Sequence, residues 1–149
     1  GHSGLLGLEI MNEPTAGSAG SPVFERQQLW PFNNRMIDGL RKAGEKRMIW
    51  FGPNILRDTL DFDIGKPEKF SSDGNLVYAP HIYTGTFNDG GPEALRASYE
   101  AAIREAGKYD APFVDGEWGG GSDEKAESMR SLKLDLQDEF RTGSAFWMW

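Results

Sequence analysis

The chain has 149 residues, 38% apolar and 26% charged, with a formal net charge of −7 and no cysteine. That length supports one domain with its own core, and an acidic balance without a basic stripe argues against a nucleic-acid partner. The lack of cysteine excludes disulfides, thiolate chemistry and Cys-based metal sites, no apolar run reaches membrane-spanning length, and no signal-peptide pattern opens the chain.

Leu5 to Met11 reads as the first strand. It is a short apolar run that stops on Asn12 and Glu13, where Pro14 forbids further ladder pairing. A buried strand ending in this way delivers a carboxylate to the end of the sheet where parallel α/β folds carry their chemistry. Residues 16–21 read as a flexible loop. Val23 to Lys46 reads as mostly helical, with Leu29, Phe32, Met36, Ile37 and Leu40 on one face and Pro31 either starting or kinking the main helix. Arg47 to Phe51 is the second strand, closed by Gly52 and Pro53. Asn54 to Gly74 has no clean period and reads as a long loop with at most a short helix, a wall for a site. Its acidic stretch Asp58 to Asp63 reads as solvated. Asn75 to Ile82 is the third strand, and a Gly-rich loop follows from Thr84 to Gly91.

Pro92 to Ala106 reads as a helix with Leu95, Tyr99, Ala102, Ile103 and Ala106 on one face, Pro92 in its first turn and Gly107 at its end. Pro112 to Gly116 is the fourth strand, and Gly119 to Gly121 a turn. Ser122 is expected to cap the last helix, with Asp123 and Glu124 in its first turn. Met129, Leu132, Leu136 and Phe140 should face the sheet until Gly143 ends the helix, and Ser144 to Trp149 is the fifth strand. Strands alternating with helices predict a parallel α/β sheet in a single domain over 1–149. The unit opens on a strand and closes on the apolar strand Phe146 to Trp149, an edge that would aggregate if left free. An ordinary β/α barrel takes roughly 250 residues. Either another chain, as in self-association, covers that edge, or the chain is the carboxyl-terminal part of a larger TIM barrel and a missing barrel segment, about the first third, covers it.

Period-two alternation tells which side chains point together. Gly7, Glu9, Met11 and Glu13 share a face of the first strand, and a bulge at its end would turn Asn12 inward as well. Val77, Ala79, His81 and Tyr83 share a face of the third; Phe113, Asp115 and Glu117 of the fourth; Ala145, Trp147 and Trp149 of the fifth. Two carboxylates, Glu13 and Glu117, then meet at strand ends in the company of His81, Tyr83 and Trp147.

Four motifs sit at these strand ends: Asn12-Glu13-Pro14, His81-Ile82-Tyr83, Gly116-Glu117-Trp118-Gly119 and Trp147-Met148-Trp149. In this order the chain resembles glycoside hydrolase family 5, a family of retaining β-glycosidases in the barrel clan that includes cellulases and mannanases. Leu8 to Pro14 and Leu29-Trp30-Pro31-Phe32 look most like its endoglycoceramidase-like branch, which cleaves glycan from lipid. The resemblance implies that these are barrel strands four to eight, that Glu13 is the general acid/base and that Glu117 is the nucleophile. It further implies that Asn12 bonds the sugar 2-hydroxyl, that Tyr83 orients the nucleophile, and that His81 is the active-site histidine of the sixth strand. Trp147 matches the aromatic floor under the sugar, with Trp149 as its fallback. The family's arginine and histidine from the second and third strands have no counterpart in this chain.

The chemistry is sensible on its own terms. One carboxyl must be protonated while its neighbour is ionised, and neighbouring carboxyls push their pKa values apart. Blander roles compete with these. Glu9 and Asp115 read as structural carboxylates paired with a basic group from missing strands. His81 also fits a core histidine, Trp149 a core residue, and Trp118 either lines the cleft or packs behind it. With His2 remote, no metal site and no cofactor are expected. The reading is a retaining, endo-acting β-glycoside hydrolase on a glycan or glycolipid, with Trp118 and Trp149 among its sugar contacts. Its rivals are a non-catalytic barrel fragment and a sugar-binding module. Family habit suggests an extracellular location.

Overall fold

Short runs rich in β-branched and aromatic residues form the strands of this chain, and longer amphipathic runs cover them. The computed structural model describes residues 3–17, 21–57, 70–86 and 90–148. The elements in order are β1 (Gly7–Glu9), α1 (Ser21–Phe24), a π-helical turn (Glu25–Leu29), α2 (Trp30–Lys42), β2 (Met48–Phe51), β3 (Leu76–Tyr78), α3 (Pro92–Lys108), β4 (Val114–Gly119), α4 (Glu124–Phe140) and β5 (Gly143–Trp147).

Every strand pairing is parallel. β1, β2 and β3 form one sheet with Leu8 opposite Ile49 and Trp50 opposite Val77. β4 and β5 form a second, with Val114 opposite Gly143 and Trp118 opposite Phe146. Two parallel bridges, Tyr78 to Phe113 and His81 to Glu117, join the sheets into one arc. Gly116 N donates to Pro80 O at 2.8 Å across that seam. Pro80 has no N–H to offer a ladder, so β3 stops before it, and the next bridge to β4 forms at His81. Among the described residues the arc does not close into a barrel, and β1 and β5 are its edges.

The core lies between the arc and its helices. Trp30, Phe51, Phe70, Tyr78 and Tyr109 pack as one aromatic cluster, with Phe70 and Tyr109 4.8 Å apart between ring centres and Phe51 and Tyr109 5.2 Å. Each such ring contributes about 2–3 kcal/mol through burial. A polar network runs through the same layer. Arg57 Nε bonds Glu105 Oε2 at 2.9 Å, and Tyr78 Oη donates to the same oxygen at 2.5 Å.

Several expectations shift. The first strand is shorter than Leu5 to Met11, because Leu5 and Leu6 lie before the pairing starts and are exposed. Pro31 starts α2, and the turn before it is π-helical rather than α-helical. Asp123, not Ser122, caps α4, because its Oδ1 accepts from Ala126 N at 2.8 Å. Ile103 on α3 is exposed while Glu105 is buried. The sheet-facing stripe of α4 carries Lys133 and Gln137 as well as Met129 and Leu136. The acidic stretch Asp58 to Asp63 and Trp149 lie outside the described residues.

Candidate active site

The carboxyl ends of β1, β3 and β4 bring four predicted residues together. Glu13 comes from the turn after β1, where its backbone is left-handed (φ 44°) immediately before Pro14. Such a conformation costs a non-glycine residue about 1–3 kcal/mol, so the surroundings must hold it. His81 supplies one hold: its Nδ1 lies 3.0 Å from Glu13 Oε1 and 3.7 Å from Glu117 Oε2, while its Nε2 lies 3.9 Å from Glu9 Oε1.

Glu117 reaches this cluster through an irregularity in β4. Between Asp115 and Trp118 the strand advances three residues while β5, from Ser144 to Phe146, advances two. The extra residue flips the alternation. Asp115 therefore does not share a face with Glu117, as simple period two predicts. It points back to α3, where Tyr99 Oη donates to its Oδ2 at 2.6 Å, and its Oδ1 accepts from Ile82 N at 3.1 Å. Its partners here include a tyrosine hydroxyl and a backbone amide. Glu117 turns the other way and accepts from Tyr83 Oη at 2.5 Å.

Glycine at position 116 makes this possible. A Cβ there would lie 2.9 Å from Ala79 O and 3.1 Å from His81 Cδ2. Gly119 answers to the same pressure, since a Cβ on it would fall 1.7 Å from Trp147 O.

The electrostatics follow from this packing. Burial alone would lower the His81 pKa, but hydrogen bonds to Glu9 and Glu13 and the Glu117 charge outweigh it and lift it to about 9. The ring is then an imidazolium at neutral pH, set among three carboxylates. Burial, the Glu117 bond and nearby carboxylates push the Tyr83 hydroxyl well above its usual value, so it stays a donor. Glu13, His81 and Glu117 each offer one atom within 4.8 Å of the others, a spacing that one cation could share. A metal would first have to displace the His81 proton.

The remaining predicted residues are placed as follows. Asn12 is exposed beside Glu13. Trp147 ends β5, is 58% exposed and alternates with Phe146, so it faces the opposite side of β5 from Trp118. Trp118, expected among the sugar contacts, packs behind β4 instead: it is 4% exposed, 4.9 Å from the Phe146 ring and 5.5 Å from Lys133 Nζ. The flip at the bulge that turns Glu117 inward turns Trp118 outward. A groove of about 580 Å³ opens beside Glu13, lined by Met11, Asn12, Phe24, Leu29, Phe32 and Arg35 among others. Sequence reasoning missed the contact of Glu9 with His81 and the burial of Lys133. The second had a signal, since 129, 133, 136 and 140 fall at helical spacing with one lysine among apolar residues.

Comparison with known proteins bears on this geometry. The family model Cellulase (glycosyl hydrolase family 5) matches residues 1–149. Among solved structures, an endogalactoceramidase is similar with 28% identity and a TM-score of 0.85, over 97% of this chain and 33% of its own. Endo-glycoceramidase II from Rhodococcus sp. shares 22% identity and a TM-score of 0.75, over 95% of this chain and 35% of its own. Endoglucanase Cel5A from the hyperthermophilic Thermotoga maritima shares 15% identity and a TM-score of 0.74, over 96% of this chain and 52% of its own. No curated protein matches the chain. The chain spans about a third of the length of the first two structures, and its parallel strands and helices are those of part of a TIM barrel. With a family model matched from end to end, the chain belongs to glycosyl hydrolase family 5.

Proposed function

We propose that the protein is a retaining, endo-acting β-glycoside hydrolase, with Glu13 as acid/base and Glu117 as nucleophile. The observation that carries this is the approach of the two carboxylates: oxygens of Glu13 and Glu117 lie within 4.8 Å of each other and of His81. Retaining enzymes hold their carboxyls about 5–5.5 Å apart, whereas inverting ones leave about 6.5–9.5 Å for a water. The partners of the carboxylates support the division of labour. Tyr83 donates to Glu117 Oε1 and so orients the carboxylate for attack, while its Oε2 lies 3.7 Å from His81 Nδ1. Glu13 sits at the rim beside the groove.

In this mechanism Glu117 attacks the anomeric carbon while Glu13 gives its proton to the leaving oxygen. Glu13 then takes a proton from water, and the water's oxygen displaces Glu117 with overall retention. Asn12 bonds the sugar 2-hydroxyl, His81 orients Glu13, and Trp147 offers its face to the sugar's C–H groups.

The substrate class we propose is a glycolipid. The names of the similar ceramidases support it. So does the groove beside Glu13, on the side where a leaving aglycone must depart, because Met11, Phe24, Leu29 and Phe32 give it an apolar wall. The open edges at β1 and β5 call for a complementing barrel segment or a second copy, and exposed Leu5, Leu6, Phe146 and Met148 support that need.

The test is turnover of an aryl β-glycoside by the protein at its full natural length. Glu117→Ala should abolish it, and azide should restore an azido-glycoside from that variant. Unchanged turnover in Glu117→Ala would remove the assignment.

A further inference from the structure

Two of the buried residues on α4 are polar and one helical turn apart: Lys133 and Gln137. Both reach under the seam between β3 and β4. Gln137 Nε2 donates to Tyr99 Oη at 3.1 Å, and Tyr99 passes the chain on to Asp115. Lys133 Nζ donates to Ile82 O. Ile82 N meanwhile lies 3.1 Å from Asp115 Oδ1 and 3.0 Å from Glu117 O. Both polar ends of Ile82 are thus held, its N–H by Asp115 and the β4 backbone and its carbonyl by Lys133. The residues on either side of it, His81 and Tyr83, are those whose side chains meet Glu13 and Glu117.

Lys133 does more than pair a carbonyl. Its Nζ lies 5.8 Å from the centre of the Tyr83 ring, whose hydroxyl bonds Glu117. A cation over a phenol ring draws electron density from it and makes the hydroxyl a stronger donor. Packing alone gives no reason for an ammonium 1% exposed on a stripe shared with Met129 and Leu136, because burying a charge is costly.

We propose that Lys133 is a positioning residue for the nucleophile: it locks the 81–83 segment through Ile82 O and strengthens, through Tyr83, the hydrogen bond that holds Glu117. This rests on the reading of Glu117 as nucleophile. The charged and titratable groups around that carboxylate are Glu9 and Glu13 from β1 and its turn, His81 and Tyr83 after β3, Asp115 on β4, Tyr99 on α3 and Lys133 on α4.

The test uses the protein at its full natural length, with Lys133→Met, Lys133→Arg and Asp115→Asn. Activity is read as kcat and KM on an aryl β-glycoside and as the pH profile of kcat/KM. Lys133→Met should lower kcat about 10–100-fold with KM within about threefold. It should also move the acidic limb of the profile to higher pH by about 0.5–1 unit. Lys133→Arg should restore part of both, and Asp115→Asn should move the limb the other way. A second readout does not need catalysis: the Glu117 carboxyl followed by carbon-13 NMR titration, assigned with Glu117→Gln. Its midpoint should rise in Lys133→Met. An unmoved midpoint with an unmoved pH profile overturns the proposal even if the enzyme is active. A moved midpoint in a protein whose Glu117→Ala variant stays active upholds the positioning and sinks the nucleophile reading instead. If Lys133→Met does not fold, Lys133→Gln takes its place, and an unmoved midpoint with an unmoved pH profile in that variant overturns it.

Discussion

Tyr83 Oη donates to Glu117 Oε1 at 2.5 Å, although 34 residues separate the two in the chain. The bond crosses the seam where β3 and β4 are joined by bridges rather than by a continuous ladder. It fixes the carboxylate rotamer, and it exists because a bulge in β4 turns Glu117 inward.

Tyr83→Phe removes that bond and keeps the ring that faces Lys133. We expect kcat to fall about 10–100-fold, equivalent to about 1.4–2.7 kcal/mol of transition-state stabilisation, with KM nearly unchanged. Steady-state kinetics on an aryl β-glycoside checks it. A loss confined to KM would point to sugar binding instead.

Gly116→Ala should disable the site without touching a proposed catalytic group. The added methyl would meet Ala79 O at 2.9 Å and His81 Cδ2 at 3.1 Å. The strand cannot move away without breaking the bond from Gly116 N to Pro80 O. The expected outcome is at least a tenfold loss of kcat/KM, about 1.4 kcal/mol, and a lowered Tm. Calorimetry and kinetics together check it.

These two sites show what the sequence reveals and what it hides. Glu13, His81, Tyr83 and Glu117 were legible because each lies near or just beyond the carboxyl end of a strand, where a short apolar run gives way to proline, glycine or polar residues. Alternation failed at Asp115, because a bulge adds one residue and no residue type announces it. Lys133 and Glu105 were missed for another reason. Buried charges look like solvated ones until the partner from a distant element is known, here Ile82 O for Lys133 and Arg57 for Glu105.

Glu25 gives the fold a pH dependence of its own. It is 1% exposed in the π-helical turn and accepts from Asn54 N at 3.0 Å. Burial raises its pKa from 4.5 to about 7, against the lowering effect of the Asn54 bonds. The folded state therefore holds a proton that the unfolded state releases first. Stability from this group is complete below about pH 4.5 and is lost as pH rises through about 7, by about 3 kcal/mol at most. His81 acts in the same direction at higher pH: its contribution is present below about 6.5 and is lost as pH rises through about 9. Urea unfolding across pH 5–9 should show stability falling with pH, and Glu25→Gln should flatten the lower half of that slope.

The Arg57–Glu105 pair should fail badly when halved. Both are buried, and Tyr78 shares the carboxylate. Glu105→Ala leaves a guanidinium without this partner in the core, a change that costs about 3–5 kcal/mol. Glu105→Gln keeps one acceptor and should cost less. The order of the two Tm values checks the assignment. Equal values would mean that the charge contributes nothing.

The most direct test of the central claim is covalent capture of the glycosyl-enzyme. A 2-deoxy-2-fluoro β-glycoside with an activated leaving group slows release more than attack, so the sugar stays on the nucleophile. Incubated with the protein at its full natural length and digested, it should leave one sugar mass on the peptide bearing Glu117 and none on the peptide bearing Glu13. A label on any other residue, or normal turnover with no label at all, would contradict the account.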